Sequence, residues 1–253
     1  MTAPQLHIHD DSDALARAVA HRLLTTLRSA QSEAGGASLV LTGGGMGRAS
    51  LEAVRDSPER DHLDWTAVDI WWGDERYLPA GDPERNETLA RTALLDHVPV
   101  PASRVHVMPA DDDTTTRGDP GAAAALYREM LRTHGEGTES PRFDVLLLGV
   151  GPDGHVASLF PDHPGLEDAR TAFAVHDSPK PPPTRISLGF SAITRARQVW
   201  CVVSGSDKAE AVAAALEEAG SVSGAPEVPA ARARGTEATH WFVDRASAAA
   251  LGS

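Results

Sequence analysis

His155 is the residue in this sequence best placed for acid–base chemistry. It follows an apolar run and a stiff turn, in Leu148-Gly-Val-Gly-Pro-Asp-Gly-His-Val-Ala-Ser-Leu-Phe160. An imidazole titrates near pH 6.5, roughly at working pH, so a neutral His155 can take a proton from water. The pattern predicts a short helix starting at His155, whose positive end disfavours imidazolium and keeps the base free. Asp153, two residues earlier, would cap that helix or orient the ring. A histidine that only fills space is the competing account.

Three further segments could hold an anion or a sugar. Thr42-Gly-Gly-Gly-Met-Gly47 joins a predicted strand to a predicted helix. Gly43, Gly44 and Gly45 would let backbone N–H groups approach an anion at the helix's positive end. No Gly-Lys-Ser/Thr follows, so this is not a nucleotide P-loop, and Arg48 stands where a dinucleotide fingerprint has its last glycine. A sugar phosphate fits better; a tight turn without ligand is the alternative. Trp72-Gly-Asp-Glu-Arg-Tyr77 puts Asp74 and Arg76 just past an apolar strand. There a carboxylate can bind sugar hydroxyls and a guanidinium phosphate, unless the two make only a local ion pair. Asn86, downstream, is a weaker candidate. In Ser204-Gly-Ser-Asp-Lys-Ala-Glu-Ala211, Asp207 and Glu210 read as a capping box that sets Lys208 in a first helical turn. A cation there opposes the helix dipole, a conflict that a bound anion removes and that a lysine pointing into water leaves standing. Arg185, after Pro181-Pro-Pro-Thr184, is a second candidate cation.

The elements that must carry these segments alternate. Strands are expected at 6–9, 38–42, 67–72, 104–108, 143–150, 185–190, 198–204 and 239–243. Helices are expected at 12–33, 48–55, within 86–97, at 122–133 and 207–219, and in a short piece at the C-terminus. Leu15, Val19, Leu23 and Leu27 recur at i+4, and Gly35-Gly36 follows as a stop. Strand–helix alternation implies an α/β, doubly wound, mostly parallel, Rossmann-like sheet with helices on both faces. Ligands of such sheets bind outside the carboxyl ends of the strands, where all four segments fall. No repeat or linker interrupts the pattern, so residues 1–253 read as a single domain.

Composition narrows the function. Hydrophobic residues make up 41% and charged residues 23%, enough for an ordinary core. The net charge of −13 argues against nucleic acid and anionic membranes as partners. An anionic ligand would need the few cations gathered in one place. Only Lys180 and Lys208 are lysines; the other basic residues are arginines. No apolar run is long enough to span a membrane and the start is not signal-like, so a cytoplasmic protein is expected. The one cysteine, Cys201, lies in an apolar run, which excludes an intrachain disulfide and a cysteine-rich zinc site. There is no Gly-x-Ser-x-Gly elbow and no His-Glu-x-x-His, so we expect neither a serine nucleophile, nor a metal, nor any cofactor. No exposed apolar stripe stands out, and a monomer or weak homo-oligomer is expected.

In this order, the segments resemble the 6-phosphogluconolactonase family, which shares its fold group with glucosamine-6-phosphate deaminases. The carriers are Leu41-Thr-Gly-Gly-Gly45, Trp72-Gly-Asp-Glu-Arg76, Gly149-Val-Gly-Pro-Asp-Gly-His-Val-Ala-Ser-Leu-Phe-Pro161, Pro181-Pro-Pro-Thr-Arg-Ile-Ser187 and Gly205-Ser-Asp-Lys208. The resemblance implies hydrolysis of 6-phospho-D-glucono-1,5-lactone to 6-phosphogluconate in the oxidative pentose phosphate pathway. It implies a 6-phosphate held by the glycine loop with Arg185 and Lys208, and His155 as the base activating water. Asp74 and Arg76 would line the sugar site. The glycine loop departs from the pattern by ending Gly-Met-Gly where many relatives have a Ser/Thr-Pro turn. An amino-sugar phosphate deaminase, with Asp74 as base, and a catalytically silent sugar-phosphate sensor are the rival readings.

Overall fold

The structure, a computed structural model, describes residues 3–220 and 227–252. Strand β1 (Gln5–His9) leads into α1 (Ser12–Ala34), whose Leu15, Val19, Leu23 and Leu27 are all buried. Asp11 caps its start by accepting the Ala14 N–H at 2.8 Å, and Gly35 ends it in the left-handed region at φ 77°. Then follow β2 (Ala37–Leu41), α2 (Gly44–Asp56), β3 (Val68–Trp72), β4 (Asp74–Arg76), α3 (Asn86–Ala93) and α4 (Pro120–Thr133). The second half holds β5 (Val145–Leu148), β6 (Ala172–Val175), β7 (Arg185–Leu188), α5 (Phe190–Ile193), β8 (Gln198–Val203), α6 (Ala209–Gly220), α7 (Pro229–Arg232) and β9 (Ala238–Asp244).

Six strands form one sheet in the order β1-β9-β8-β5-β2-β3, every pair parallel. From β2 the chain moves outward to β3, whereas from β5 it moves the other way, through β8 to β9. With right-handed crossovers, this reversal sets α1 and α2 on one face and α4 and α6 on the other. The loops after β2 and β5 therefore part at the middle of the sheet and leave a crevice between them. Burial on both faces accounts for the unbroken apolar strands: all of β5 is buried.

A second, antiparallel sheet, β4-β7-β6, was not foreseen from the pattern. It is tied to the first at Gly73, whose N–H donates to the Leu41 carbonyl and whose carbonyl accepts from Leu188. Its strands are three or four residues long, and Asp-Glu-Arg has no apolar alternation to betray it.

Four other expectations are corrected. The 104–108 strand is a 3-10 turn, Ala102–Arg104, followed by one bridge from Val105 to Ile70; Pro101 and Pro109 bracket the segment and limit its pairing. The chain after β9 makes turns, not a helix. Ser206–Lys208 is a 3-10 turn ahead of α6, and Asp207 ion-pairs with Lys208 instead of capping. Finally, no helix starts at His155: residues 150–159 form tight turns bridged at Val150–Val156 and Val156–Leu159. The segment between α6 and α7 lies partly outside the described residues.

Candidate active site

A cleft of ≈ 800 Å³ opens at the carboxyl ends of β2, β3, β5 and β8. Gly43, Gly44, Gly45, Asp74, Arg76, His155, Arg185 and Lys208 all line it, and Asp153 stands behind His155. Each arrives by a short route from a strand end. Gly43 is the N-cap of α2 and makes no side-chain cap bond, so the first N–H groups of α2 are left for a ligand. The next loop is braced on this one, because the Thr42 hydroxyl accepts the Gly149 N–H at 3.1 Å. Lys208 is delivered by the turn after β8. Asp244, at the end of β9, holds that turn by accepting from the Ser204 hydroxyl at 2.6 Å and the Gly205 N–H at 3.2 Å. Arg185 comes from the second sheet, where it pairs in register with Arg76.

His155 is clamped by its own turn. Its Nδ1 lies 2.5 Å from Asp153 Oδ1, and its ring packs 4.6 Å from that of Phe160. A Cβ on Gly151 would fall 2.0 Å from the imidazole, so only glycine leaves the ring this seat. With Nδ1 taken, Nε2 has no protein partner among the described residues. Burial pulls the imidazole below its usual pKa of 6.5; the Asp153 hydrogen bond and charge oppose this, and Lys180 adds to it. Burial, not the helix end that the sequence suggests, is thus what favours the neutral imidazole. For Asp153 burial acts upward, but the His155 bond with the charges of His155 and Lys180 wins, leaving its carboxyl below the usual range.

Asp74 is buried and already engaged. Its carboxylate accepts from Ser158 Oγ at 2.6 Å and from Asn86 Nδ2 at 3.3 Å, with Arg185 Nη1 at 3.8 Å. Arg185 donates to the carbonyls of Lys180, Pro181 and Pro182, and burial lowers its pKa from the usual arginine value. Arg76 donates to the Glu84 carbonyl.

Sequence reasoning missed Lys180 as a site residue. Its Nζ sits 3.3 Å from His155 Nδ1 and 3.6 Å from Asp153 Oδ1, at the cleft wall. The available signal was composition: the chain has two lysines, and both line this cleft. Ser158 and Glu75 were also passed over, the first because a serine in a long motif carries no distinct spacing.

The arrangement gathers Arg76, Lys180, Arg185 and Lys208 beside one engaged carboxylate and one neutral imidazole, suited to a phosphorylated sugar with an electrophilic carbon. Residues 10–241 match the family described as glucosamine-6-phosphate isomerases/6-phosphogluconolactonase. The chain belongs to this family. Within it, a 6-phosphogluconolactonase of Streptomyces coelicolor is 53% identical over 252 residues, covering 98% of this chain and 95% of the relative. One of Mycobacterium tuberculosis is 48% identical over 250 residues, covering 98% of each. Among solved structures, 6-phosphogluconolactonase from Trypanosoma brucei superposes with a TM-score of 0.83 at 25% identity, covering 100% of both chains. A monomeric glucosamine-6-phosphate deaminase shares the fold at a TM-score of 0.79 and 19% identity, covering 97% of this chain and 99% of its own. Both chemistries named in the family description therefore occur on this fold, and the site must decide between them.

Proposed function

We propose that this chain hydrolyses 6-phospho-D-glucono-1,5-lactone to 6-phosphogluconate, with His155 as general base and no metal in the reaction. The observation that carries the reading is the His155–Asp153 pair at the cleft: Nδ1 held at 2.5 Å leaves Nε2 as the free, neutral nitrogen. The phosphate docks against Lys208, Arg185 and the first N–H groups of α2, fixing the ring so that C1 lies near His155. Nε2 takes a proton from water as it attacks C1. Asp153 steadies the imidazolium, and Arg76 or backbone N–H groups face the developing oxyanion. The C1–ring oxygen bond then breaks, and the proton on Nε2 passes to the departing oxygen. A lactone carbonyl is reactive enough for this route, and among the described residues no three His, Cys, Asp or Glu side chains converge as metal ligands.

The deaminase reading asks Asp74 to shuttle protons between C1 and C2. Its bonds to Ser158 and Asn86 favour a fixed acceptor over a base free to move protons. No helix among the described residues is long and apolar enough to cross a membrane; a cytoplasmic setting is part of the proposal. The test follows loss of freshly generated 6-phosphogluconolactone above its spontaneous hydrolysis, with unphosphorylated gluconolactone and His155→Ala alongside. Acceleration restricted to the phosphorylated lactone and lost in the variant is expected. Ammonia release from glucosamine 6-phosphate, without lactone hydrolysis, would refute it.

A further inference from the structure

The two carboxylates of β4 do different work. Asp74 faces the cleft, whereas Glu75 is 1% exposed and turned inward. Glu75 Oε1 accepts the N–H groups of Arg76 at 2.8 Å and Asn86 at 2.7 Å, and Oε2 accepts that of Glu87 at 2.8 Å. The Arg85 guanidinium, equally buried, lies 3.7 Å from Oε2 and is pinned by the carbonyls of Leu78 and Met108. Glu75 therefore caps α3 from outside, since Arg85, its N-cap residue, makes no side-chain cap bond. A buried ion pair is costly to assemble, so what it holds in place matters.

What it holds is Asn86. The Asn86 Nδ2 donates to the Asp74 carbonyl at 2.8 Å and reaches the Asp74 carboxylate. On its other side, the amide fills the space where a Cβ on Gly43 would stand, 2.0 Å from Oδ1. Asn86 is thus wedged between the residue that opens the glycine loop and the carboxylate at the sugar end of the cleft. We infer that Glu75 is a positioning residue: by fixing the first turn of α3, it uses the Asn86 amide to set the spacing between the phosphate-binding loop and the Asp74–Arg76 edge. That spacing selects substrates by the separation of phosphate and reacting carbon. The inference rests on the lactonase reading.

Glu75→Gln keeps the shape but sets an amide N–H against the Glu87 N–H, so the turn must shift. Asn86→Ala leaves the buried pair intact and removes only the wedge. Both variants, their double and the wild type are compared in steady-state kinetics on 6-phosphogluconolactone, with melting curves giving the folded fraction. A misplacement near 1 Å costs on the order of 10²-fold. Each single variant is expected to lose about that in kcat/KM per folded enzyme, and the double no more than the larger single within about threefold, because both act through one wedge. Multiplying losses, or folded Glu75→Gln with wild-type kinetics and only a lowered melting point, would overturn the inference. Should Glu75→Gln not fold, wild-type kinetics in Asn86→Ala would overturn it equally. A wild type without turnover overturns the functional reading as well; an active wild type with unaltered variants overturns this inference alone.

Discussion

Asp153→Asn isolates the charge behind His155 while keeping the side chain's shape. The carboxylate sits 2.5 Å from Nδ1, and in the proposed mechanism its charge is the anion next to the imidazolium formed in the transition state. With both charges spread over their groups, a centre-to-centre separation of about 4 Å gives about 1 kcal/mol in bulk water and about 4 kcal/mol at an effective dielectric of 20. Asp153 is about one-third exposed, and Lys180 already spends part of its field at 3.6 Å. The loss should therefore fall inside that range, at roughly 2–3 kcal/mol, or about 30- to 150-fold in kcat. KM should change little, because Asp153 does not line the cleft. Asp153 also holds the His155 pKa up against burial, so removing its charge should move the acid limb of the kcat/KM profile to lower pH. Lactone consumption across pH 5–8, corrected for spontaneous hydrolysis, measures both. A kcat within about threefold of wild type and an unmoved acid limb would refute the clamp.

Other outcomes follow from the same geometry. Lys208→Ala should raise KM by about 10- to 100-fold, the worth of one charged hydrogen bond, with kcat nearly kept; a pure kcat defect would remove it from the phosphate site. Lys180→Met takes away a neighbour that lowers the His155 pKa, so its acid limb should move to higher pH, opposite to Asp153→Asn. Away from the cleft, His240 is pulled down to about 4 by burial, then Arg22 and His7. Between that value and the unfolded 6.5 the unfolded chain binds the extra proton, so this contribution to stability, complete above 6.5, is lost as pH falls toward about 4. Urea midpoints at pH 7 and 4.5 should show the loss, and His240→Gln should reduce the difference.

Much of the site was legible because strand-end placement is a property of sequence order. The glycine loop, Asp74, Arg76, His155 and Lys208 each follow an apolar strand closely, and the parallel sheet does the gathering. The misreadings arose where local pattern and tertiary contact part company. His155 was assigned to a helix start on the strength of a Gly-Pro-Asp-Gly turn, yet burial against Phe160 and Gly151 sets its protonation. Asp207 looked like a cap because its spacing to Glu210 fits one, but the neighbouring Lys208 takes the carboxylate. Glu75 carries no signal of its own in the sequence. Its burial depends on Arg85 ten residues later and on the start of α3, and no short window of sequence contains both.

The cations of the cleft also bear on how solutes reach it and leave. Within about a Debye length of its surface, about 8 Å at physiological salt, a chain of net charge −13 repels a phosphorylated solute. Arg76, Lys180, Arg185 and Lys208 act only once the ligand has arrived. Capture is therefore local, without long-range steering, and encounter should quicken as added salt mutes the outer field. In the proposed reaction ring opening creates a carboxylate, so the product would depart with one more negative charge than the lactone carried. The acidic exterior should then weaken rebinding of that product relative to binding of the lactone. Product inhibition should therefore ease less with added salt than its charge alone would suggest at the cleft cations.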